Sequence, residues 1–350
     1  MGFSFLAMQL ESVELCFPQL PNSSCKKPAP PSFGTALIYL ILSVISLLTV
    51  ALNLLVIISI SHFRQLHTPT NLLLLSLAVS DFLVGILVQP VEILLKQTCW
   101  MLGDLMCSLY YVLPFIILSA SVGNMVLISI DRYVAICDPL HYSIKVTHKA
   151  VTICVLLCWI CSFFYALILL FDNLKPLGKN KSCYGECVVK IVVIVDLAFS
   201  FIIPITVIIV LNMKVFVVSV SQARGMRSHI ASVLLELSKR DKKSERKAAR
   251  TLGVLILVFL ICYSPFYCSV LTHYSGLTTS SNEATLISVM YFNSCVNPII
   301  YAIFYPWFKK TIRFIFSSQM LQPDCGMSAK AAVLTLCLCV SIYESIHVTI

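Results

Sequence analysis

The chain has 350 residues, 59% hydrophobic and 12% charged, with 25 Lys and Arg against 16 Asp and Glu for a net charge of +9. Soluble domains carry roughly 45–50% apolar and about 25% charged residues, which excludes an ordinary soluble enzyme and a disordered chain. The basic residues lie in gaps between long apolar runs rather than on one exposed face, so a nucleic-acid partner is excluded too.

Residues 1–36 carry Glu11 and Glu14 and lack an apolar core of signal-peptide length. They are expected to form an extracellular N-terminal tail, with the first span acting as an uncleaved signal anchor. Seven apolar stretches follow, near 37–61, 72–95, 105–137, 150–171, 188–220, 251–272 and 284–304. A helix crosses the hydrocarbon with about 20 mostly apolar residues. Backbone groups in lipid must bond one another, so each stretch is read as a helix. The alternation of a membrane barrel is absent. The expected fold is an all-α membrane protein, a seven-transmembrane helix bundle over 37–304, multi-pass in the plasma membrane. Residues 304–316, FYPWFKKTIRFIF, have the pattern of a short amphipathic helix on the inner leaflet. The remainder of 305–350 is read as a cytoplasmic tail, whose apolar stretch 331–343 is too short to span.

Orientation follows from Lys and Arg placement. The segment between spans five and six holds Arg224, Arg227, Lys239, Arg240, Lys242, Lys243, Arg246, Lys247 and Arg250. Lys309, Lys310 and Arg313 follow span seven, whereas 172–187 has three lysines and 273–282 has none. The basic segments are expected in the cytoplasm, which puts the N-terminus outside. Two glycosylation sequons, at Asn22 and Asn180, fall on that outer side, each beside a cysteine. Of the 16 cysteines, Cys16, Cys25, Cys99, Cys107, Cys183 and Cys187 lie in polar segments, where disulfides persist if the face is oxidising. No Cys/His cluster has metal spacing, so no metal site is expected.

Ionisable groups at membrane depth are costly and functional by default. Asp81 in LSLAVSDFLVG reads either as a hydrogen-bonded packing element or as a sodium site. Asp131-Arg132-Tyr133 ends span three at the cytoplasmic side, and Glu245 opens span six there. An Arg132–Glu245 pair would hold that side closed and its loss would be a two-state switch. The plainer reading is an arginine snorkelling to headgroups. Asp196 lies nine residues after Cys187, about 13 Å below the outer surface at 1.5 Å per residue. Lys190 is no partner, because six residues turn a helix by about 600° and point the two apart. An organic cation from outside or a hydrogen bond to another helix would satisfy the carboxylate. Glu92 and Glu283 sit near the outer mouth, where a second carboxylate would select diamines over monoamines; the plainer reading is a wetted charge at a helix end.

These residues resemble a rhodopsin-class G-protein-coupled receptor over about 37–315. The elements are Asn53, LSLAVSD ending at Asp81, Cys107, Asp131-Arg132-Tyr133, Trp159, Pro204, Pro265 in CYSPF, and Asn297-Pro298-Ile299-Ile300-Tyr301, in order on seven spans. Within that class the chain is similar to the trace amine-associated receptors, through NSSC at 22–25, the Cys183 to Cys187 spacing and NPIIYAIFYPWF from Asn297. The resemblance implies Cys107–Cys187 and Cys25–Cys183 disulfides, with Cys16 as the alternative tail partner. It also implies a small-amine agonist, a stimulatory heterotrimeric G protein raising cyclic AMP, and an olfactory setting. That protein would engage Arg132, the Asp138-Pro139-Leu140 loop and the basic third loop. No catalytic residue and no cofactor follow, apart from a sodium ion near Asp81.

Three positions depart from the family pattern. The usual amine-binding Asp of span three is Pro114. Some members, notably in fish, instead resemble this chain in carrying an Asp eight residues before the span-five Pro, as Asp196 precedes Pro204. The resemblance therefore implies that Asp196 holds the ammonium, with Phe199, Phe266, Tyr267 and Tyr291 against the ligand's apolar parts and Glu92 nearby. The usual Trp before Pro265 is Tyr263, and the usual Tyr after Pro204 is Asn212. Both belong to the activation machinery with Asp131, Arg132, Tyr133, Glu245, Asn297, Pro298 and Tyr301. A receptor with weak or no signalling, or one for a non-amine ligand, is the alternative. A transporter would show internal repeats, a channel a filter segment, and a membrane enzyme clustered acids and histidines; none is present in the sequence.

Overall fold

The computed structural model describes residues 14–174, 183–189, 191–225, 235–274, 283–304 and 308. The described chain runs through α1 (Phe33–His62), α2 (Pro69–Leu95), α3 (Gly103–Cys137), α4 (Pro139–Lys145), α5 (His148–Leu174), α6 (193–225), α7 (Leu235–Tyr274) and α8 (Glu283–Phe304). Six of these, α1, α2, α3, α5, α6 and α7, are long and apolar enough to cross a membrane. α8 is the seventh long helix and packs against α7 and α1. α3 is central and packs against α2, α5 and α6. The chain is a seven-helix membrane bundle.

Helix starts follow local chemistry. Ser32 caps α1, its Oγ accepting from the Thr35 N–H at 3.3 Å. Thr68 caps α2, accepting from the Asn71 N–H at 3.2 Å, with Pro69 in the first turn where no N–H is needed. The expected start of span five at 188 is corrected: helix begins only at Val193. Cys187 is bonded to Cys107 on α3, so the chain after it crosses the bundle mouth before turning down. α7 begins well before its membrane part, at Leu235, continuing the helix through its basic N-terminal residues.

Two wider π-helical turns interrupt the bundle, Val84–Val88 in α2 and Leu197–Ile202 in α6. Such turns are rare and concentrate at functional sites. The first leaves the Gly85 carbonyl open to α1, where Ser46 Oγ donates to it at 2.7 Å. A Cβ at Gly85 would meet Val50 Cγ2 at 3.0 Å, so glycine permits this approach.

Lipid is as apolar as leucine, so hydrophobicity does not separate inside from outside here. The interior is marked instead by small and polar groups. Asn53, Ser80, Asp81, Ser121, Asn124 and Asn297 are buried, while Leu40, Ile153, Phe164, Ile168 and Ile261 face outward. Close approach completes the packing: a Cβ on Gly123 of α3 would collide with Cys158 Sγ of α5. Trp159 Nε1 donates to Ser76 Oγ at 3.1 Å, joining α5 to α2. Of the expected amphipathic helix, only Phe304 and the buried Phe308 are described; its other residues and the stretch 331–343 lie outside the described residues.

Candidate functional site

One end of the bundle is capped by three disulfides. Cys107 bonds Cys187 and Cys25 bonds Cys183, the pairs the resemblance implies. Cys16 is not an alternative partner for Cys183; it bonds Cys99, just past the C-terminal end of α2. Both tail cysteines are used because the tail doubles back. The Cys16 N–H donates to the Cys25 carbonyl at 2.9 Å and the Lys27 N–H to the Glu14 carbonyl at 2.8 Å. The loop joins this hairpin through the Cys25 N–H to Tyr184 carbonyl bond at 2.8 Å. Gly185 adopts φ of +107°, where a Cβ would come within 2.7 Å of Cys16 Cβ. Asn22 is exposed within the hairpin; Asn180 lies outside the described residues. Lys27 donates to Glu14 and, first through that hydrogen bond, lowers the Glu14 carboxyl below its ordinary value.

Beneath this cap lies a cavity of about 490 Å³. Its floor and walls include Pro114, Phe115 and Leu118 of α3, Asp196 and Ser200 of α6, Tyr263, Phe266 and Tyr267 of α7, and Met290 and Tyr291 of α8. Val188, Val189 and Ile191, on the segment expected to be helical, line it from above. Asp196, Phe266, Tyr267, Tyr291 and Glu92 therefore share one cavity.

Phe199 does not. It is 59% exposed, and its ring lies 6.2 Å from that of Tyr165 on the outer face. In a regular helix three residues subtend about 300°. The π turn beginning at Leu197 turns less per residue, which swings Phe199 further off the Asp196 face while Ser200, four residues on, stays on it.

Asp196 is 6% exposed. Its Oδ1 accepts from Tyr165 OH at 2.8 Å and from Ser200 Oγ at 2.9 Å, and Oδ2 accepts from Tyr267 OH at 3.4 Å. Hydroxyls from α5, α6 and α7 thus converge on one carboxylate. Among the described residues no Lys, Arg or His forms an ion pair with it; Lys190 lies outside them. Hydrogen bonds to a charged group each contribute about 1.5–3 kcal/mol, and they orient the charge without cancelling it. Sequence reasoning missed Tyr165 and Ser200. Ser200, four residues after Asp196, was the findable one; Tyr165 needs the tertiary contact.

Glu92, half-buried on α2, accepts from Tyr110 OH at 3.2 Å through Oε1. Deeper in the bundle, Asp81 is fully buried and accepts from Ser121 Oγ at 3.2 Å and Asn297 Nδ2 at 2.8 Å. The nearby Asn53 Nδ2 bridges the carbonyls of Thr49 and Ser294, each at 2.9 Å. The buried Asn293 amide has no hydrogen-bond partner among the described residues. Tyr263 forms part of the cavity wall and stacks on Phe259 at 4.3 Å. Tyr301 is fully buried and Pro298 sits inside α8. Asn212 Nδ2 donates to the Ile208 carbonyl of its own helix at 2.6 Å. The one group of potential metal ligands among the described residues, Cys25, Cys183 and Glu186, contains a disulfide.

At the opposite end, Asp131 gathers four contacts. Its Oδ2 accepts from Arg132 and from Thr70 Oγ1 at 3.0 Å, and its Oδ1 accepts from Tyr142 OH of α4 at 2.8 Å. Arg132 also donates to Thr70 Oγ1 at 2.6 Å. Burial, first of all, pushes the Tyr142 phenol up. Lys214 Nζ lies 5.9 Å from the Tyr133 ring centre. Glu245 falls on α7, and its side chain lies outside the described residues. Asp138, just after α3, accepts from Lys145 Nζ at 2.8 Å and pairs with His141 Nδ1 at 2.7 Å. The Lys145 hydrogen bond, then that of His141, holds its carboxyl down at about 2.

The family model for the seven-transmembrane receptors of the rhodopsin family matches residues 52–301. The chain is 34% identical over 331 residues to trace amine-associated receptor 4 of Mus musculus, covering 91% of this chain and 95% of that protein. Trace amine-associated receptor 1 of Mus musculus is 36% identical over 307 residues, covering 84% and 92%. Trace amine-associated receptor 8a of Rattus norvegicus is 35% identical over 326 residues, covering 89% and 94%.

Proposed function

The chain belongs to the rhodopsin family of seven-transmembrane receptors, among the trace amine-associated receptors, and from that premise we propose that Asp196 binds the ammonium group of a small amine agonist. It is a multi-pass plasma-membrane receptor and not an enzyme. The observation that carries the proposal is a buried carboxylate, oriented by three hydroxyls and facing a cavity whose walls, among the described residues, hold no Lys, Arg or His. Burying a charge without a counter-charge costs several kcal/mol, and an ammonium supplies one. Phe266, Tyr267 and Tyr291 offer ring faces, each worth about 0.5–2 kcal/mol to a cation.

The same proposal puts the N-terminus outside, with the cap facing the arriving ligand. Agonist binding shifts the bundle toward a state that a G protein prefers, through differential affinity for the two states. The partner engages Arg132, the Asp138 to Leu140 turn and the basic third loop; it is of the stimulatory type, raises cyclic AMP and serves an olfactory role. A sodium ion beside Asp81 belongs to this reading, supported by Ser121 and Asn297 on the carboxylate and the unsatisfied Asn293 amide one turn before Asn297. That ion would supply a positive charge favouring ionised Asp81. A weakly coupled receptor is the second reading, favoured by Asn212, whose amide is spent on its own helix.

The test is a cyclic-AMP assay in cells with a panel of amines, on wild type, Asp196→Ala and Asp196→Glu at matched surface expression. Wild type responds, Asp196→Ala does not, and Asp196→Glu responds partially. Equal activation of wild type and Asp196→Ala overturns the anchor. Good expression with no response to any amine favours the second reading.

A further inference from the structure

The two oxygens of Asp196 are served unequally. Oδ1 accepts from Tyr165 OH at 2.8 Å and from Ser200 Oγ at 2.9 Å, whereas Oδ2 accepts, among the described residues, from Tyr267 OH alone, at 3.4 Å. A hydroxyl on a charged oxygen normally stands at about 2.5–2.7 Å, so this third bond is loose. Tyr267 belongs to α7, two residues beyond Pro265, and its ring stacks on Phe201 of α6 with centres 4.8 Å apart. The three disulfides fasten the tail, the 183–187 loop, α3 and the end of α2 to one another and leave α7 outside. The part of α7 that lines the cavity is therefore held to α6 by noncovalent contacts, this hydroxyl among them. Asp196, Ser200 and Tyr267 all face the cavity.

Resting on the assignment of Asp196 to an ammonium, we propose that the ammonium takes Oδ2 from Tyr267, and that the Asp196–Tyr267 bond is a latch between α6 and α7 which the ligand opens. Oδ1 already holds two donors, which leaves Oδ2 as the oxygen with room. An ammonium N–H settles about 2.7–2.9 Å from a carboxylate oxygen, closer than the hydroxyl it meets there. Both groups present a positive hydrogen, so they repel when aimed at one oxygen, and the hydroxyl turns its proton away. Ser200, the other hydrogen-bonding neighbour of Tyr267 OH, offers it a neutral oxygen, and a bond to a neutral acceptor has roughly half the strength of one to a charge. The exchange weakens the link between α6 and α7 only when a cation is bound, which gives the latched and open states different affinities for the ligand.

The experiment measures basal and amine-stimulated cyclic AMP in cells expressing the full chain at matched surface levels, with a panel of primary, secondary and tertiary alkylamines. Tyr267→Phe keeps the ring and removes the latch, so the basal signal should rise and the amine dose–response should move to concentrations about two- to tenfold lower. Tyr165→Phe strips a donor from the oxygen that the ammonium does not use, loosening the carboxylate's aim, and should move the dose–response the other way. A purely orienting role for Tyr267 would move both variants in the same direction. Asp196→Ala should lose the amine response yet raise the basal signal above that of Asp196→Asn, whose amide still offers the hydroxyl an oxygen. Tyr267→Phe with a wild-type basal signal, or with a potency loss matching that of Tyr165→Phe, overturns the latch and leaves the Asp196 anchor standing. An Asp196→Ala receptor that answers amines as wild type does, or a wild type that answers none, removes the anchor and this inference with it.

Discussion

The two ends of the bundle are held in opposite ways. The outer end is joined covalently: three disulfides tie the tail, the 183–187 loop, α3 and the segment beyond α2 into one piece. The inner end is held by exchangeable contacts, in which Thr70, Arg132 and Tyr142 share the carboxylate of Asp131. A covalent outer end keeps the cavity's walls in register whatever the bundle does. A hydrogen-bonded inner end can rearrange at a cost of a few kcal/mol, the scale of two-state switching. On the proposed function, the difference suits the rigid end to recognition and the loose one to response.

The largest test of this contrast is Cys107→Ser. Losing a native disulfide costs about 2–5 kcal/mol, and this one holds Cys187, Val188 and Val189 over the cavity, so surface expression and amine response should both collapse. Surface labelling together with a dose–response series checks it; wild-type expression would mean the cap is not what shapes the cavity. Next comes Gly185→Ala. Its φ of +107° and the approach to Cys16 make any Cβ unwelcome, and strain of this kind costs of order 1–3 kcal/mol. A melting curve of the solubilised receptor should show a lower transition temperature.

At the inner end, Tyr142→Phe removes one hydroxyl from Asp131, about 1.5–3 kcal/mol for a bond to a charged group. Basal signalling should rise while ligand affinity changes little. A fall in affinity with unchanged basal activity would reverse the assignment of the two ends. The smallest effect is in the Asp138 turn. Its carboxyl is held down at about 2 by Lys145 and then His141, against about 3.9 for a free Asp. A lowered folded pKa means this contribution is complete above about pH 4 and fades as pH falls toward 2. Asp138→Asn should therefore lower the melting temperature slightly at pH 6, and the difference from wild type should shrink below pH 4.

The spans were legible because an apolar run long enough to cross the hydrocarbon satisfies its backbone there only as a helix. Asp196 stood out because its neighbours in sequence are all apolar. Phe199 was not legible: a regular helix aims it at the cavity, and no residue pattern announces the π turn that begins at Leu197. The helix start at Val193 is set by the Cys107–Cys187 bond, a contact 80 residues apart in the chain. Cys16–Cys99 was unreadable for a counting reason: six cysteines admit about 15 pairings, and only the doubled-back hairpin decides among them. Tyr165 was hidden because a hydroxyl in an apolar span has many potential partners.

The tail hairpin has one more consequence. Cys16 and Cys25 are each fastened to a different part of the outer surface, so a protease that cuts between residues 17 and 24 would sever the backbone and free nothing. The upstream fragment would stay riveted to Cys99, and only a reductant could shed it.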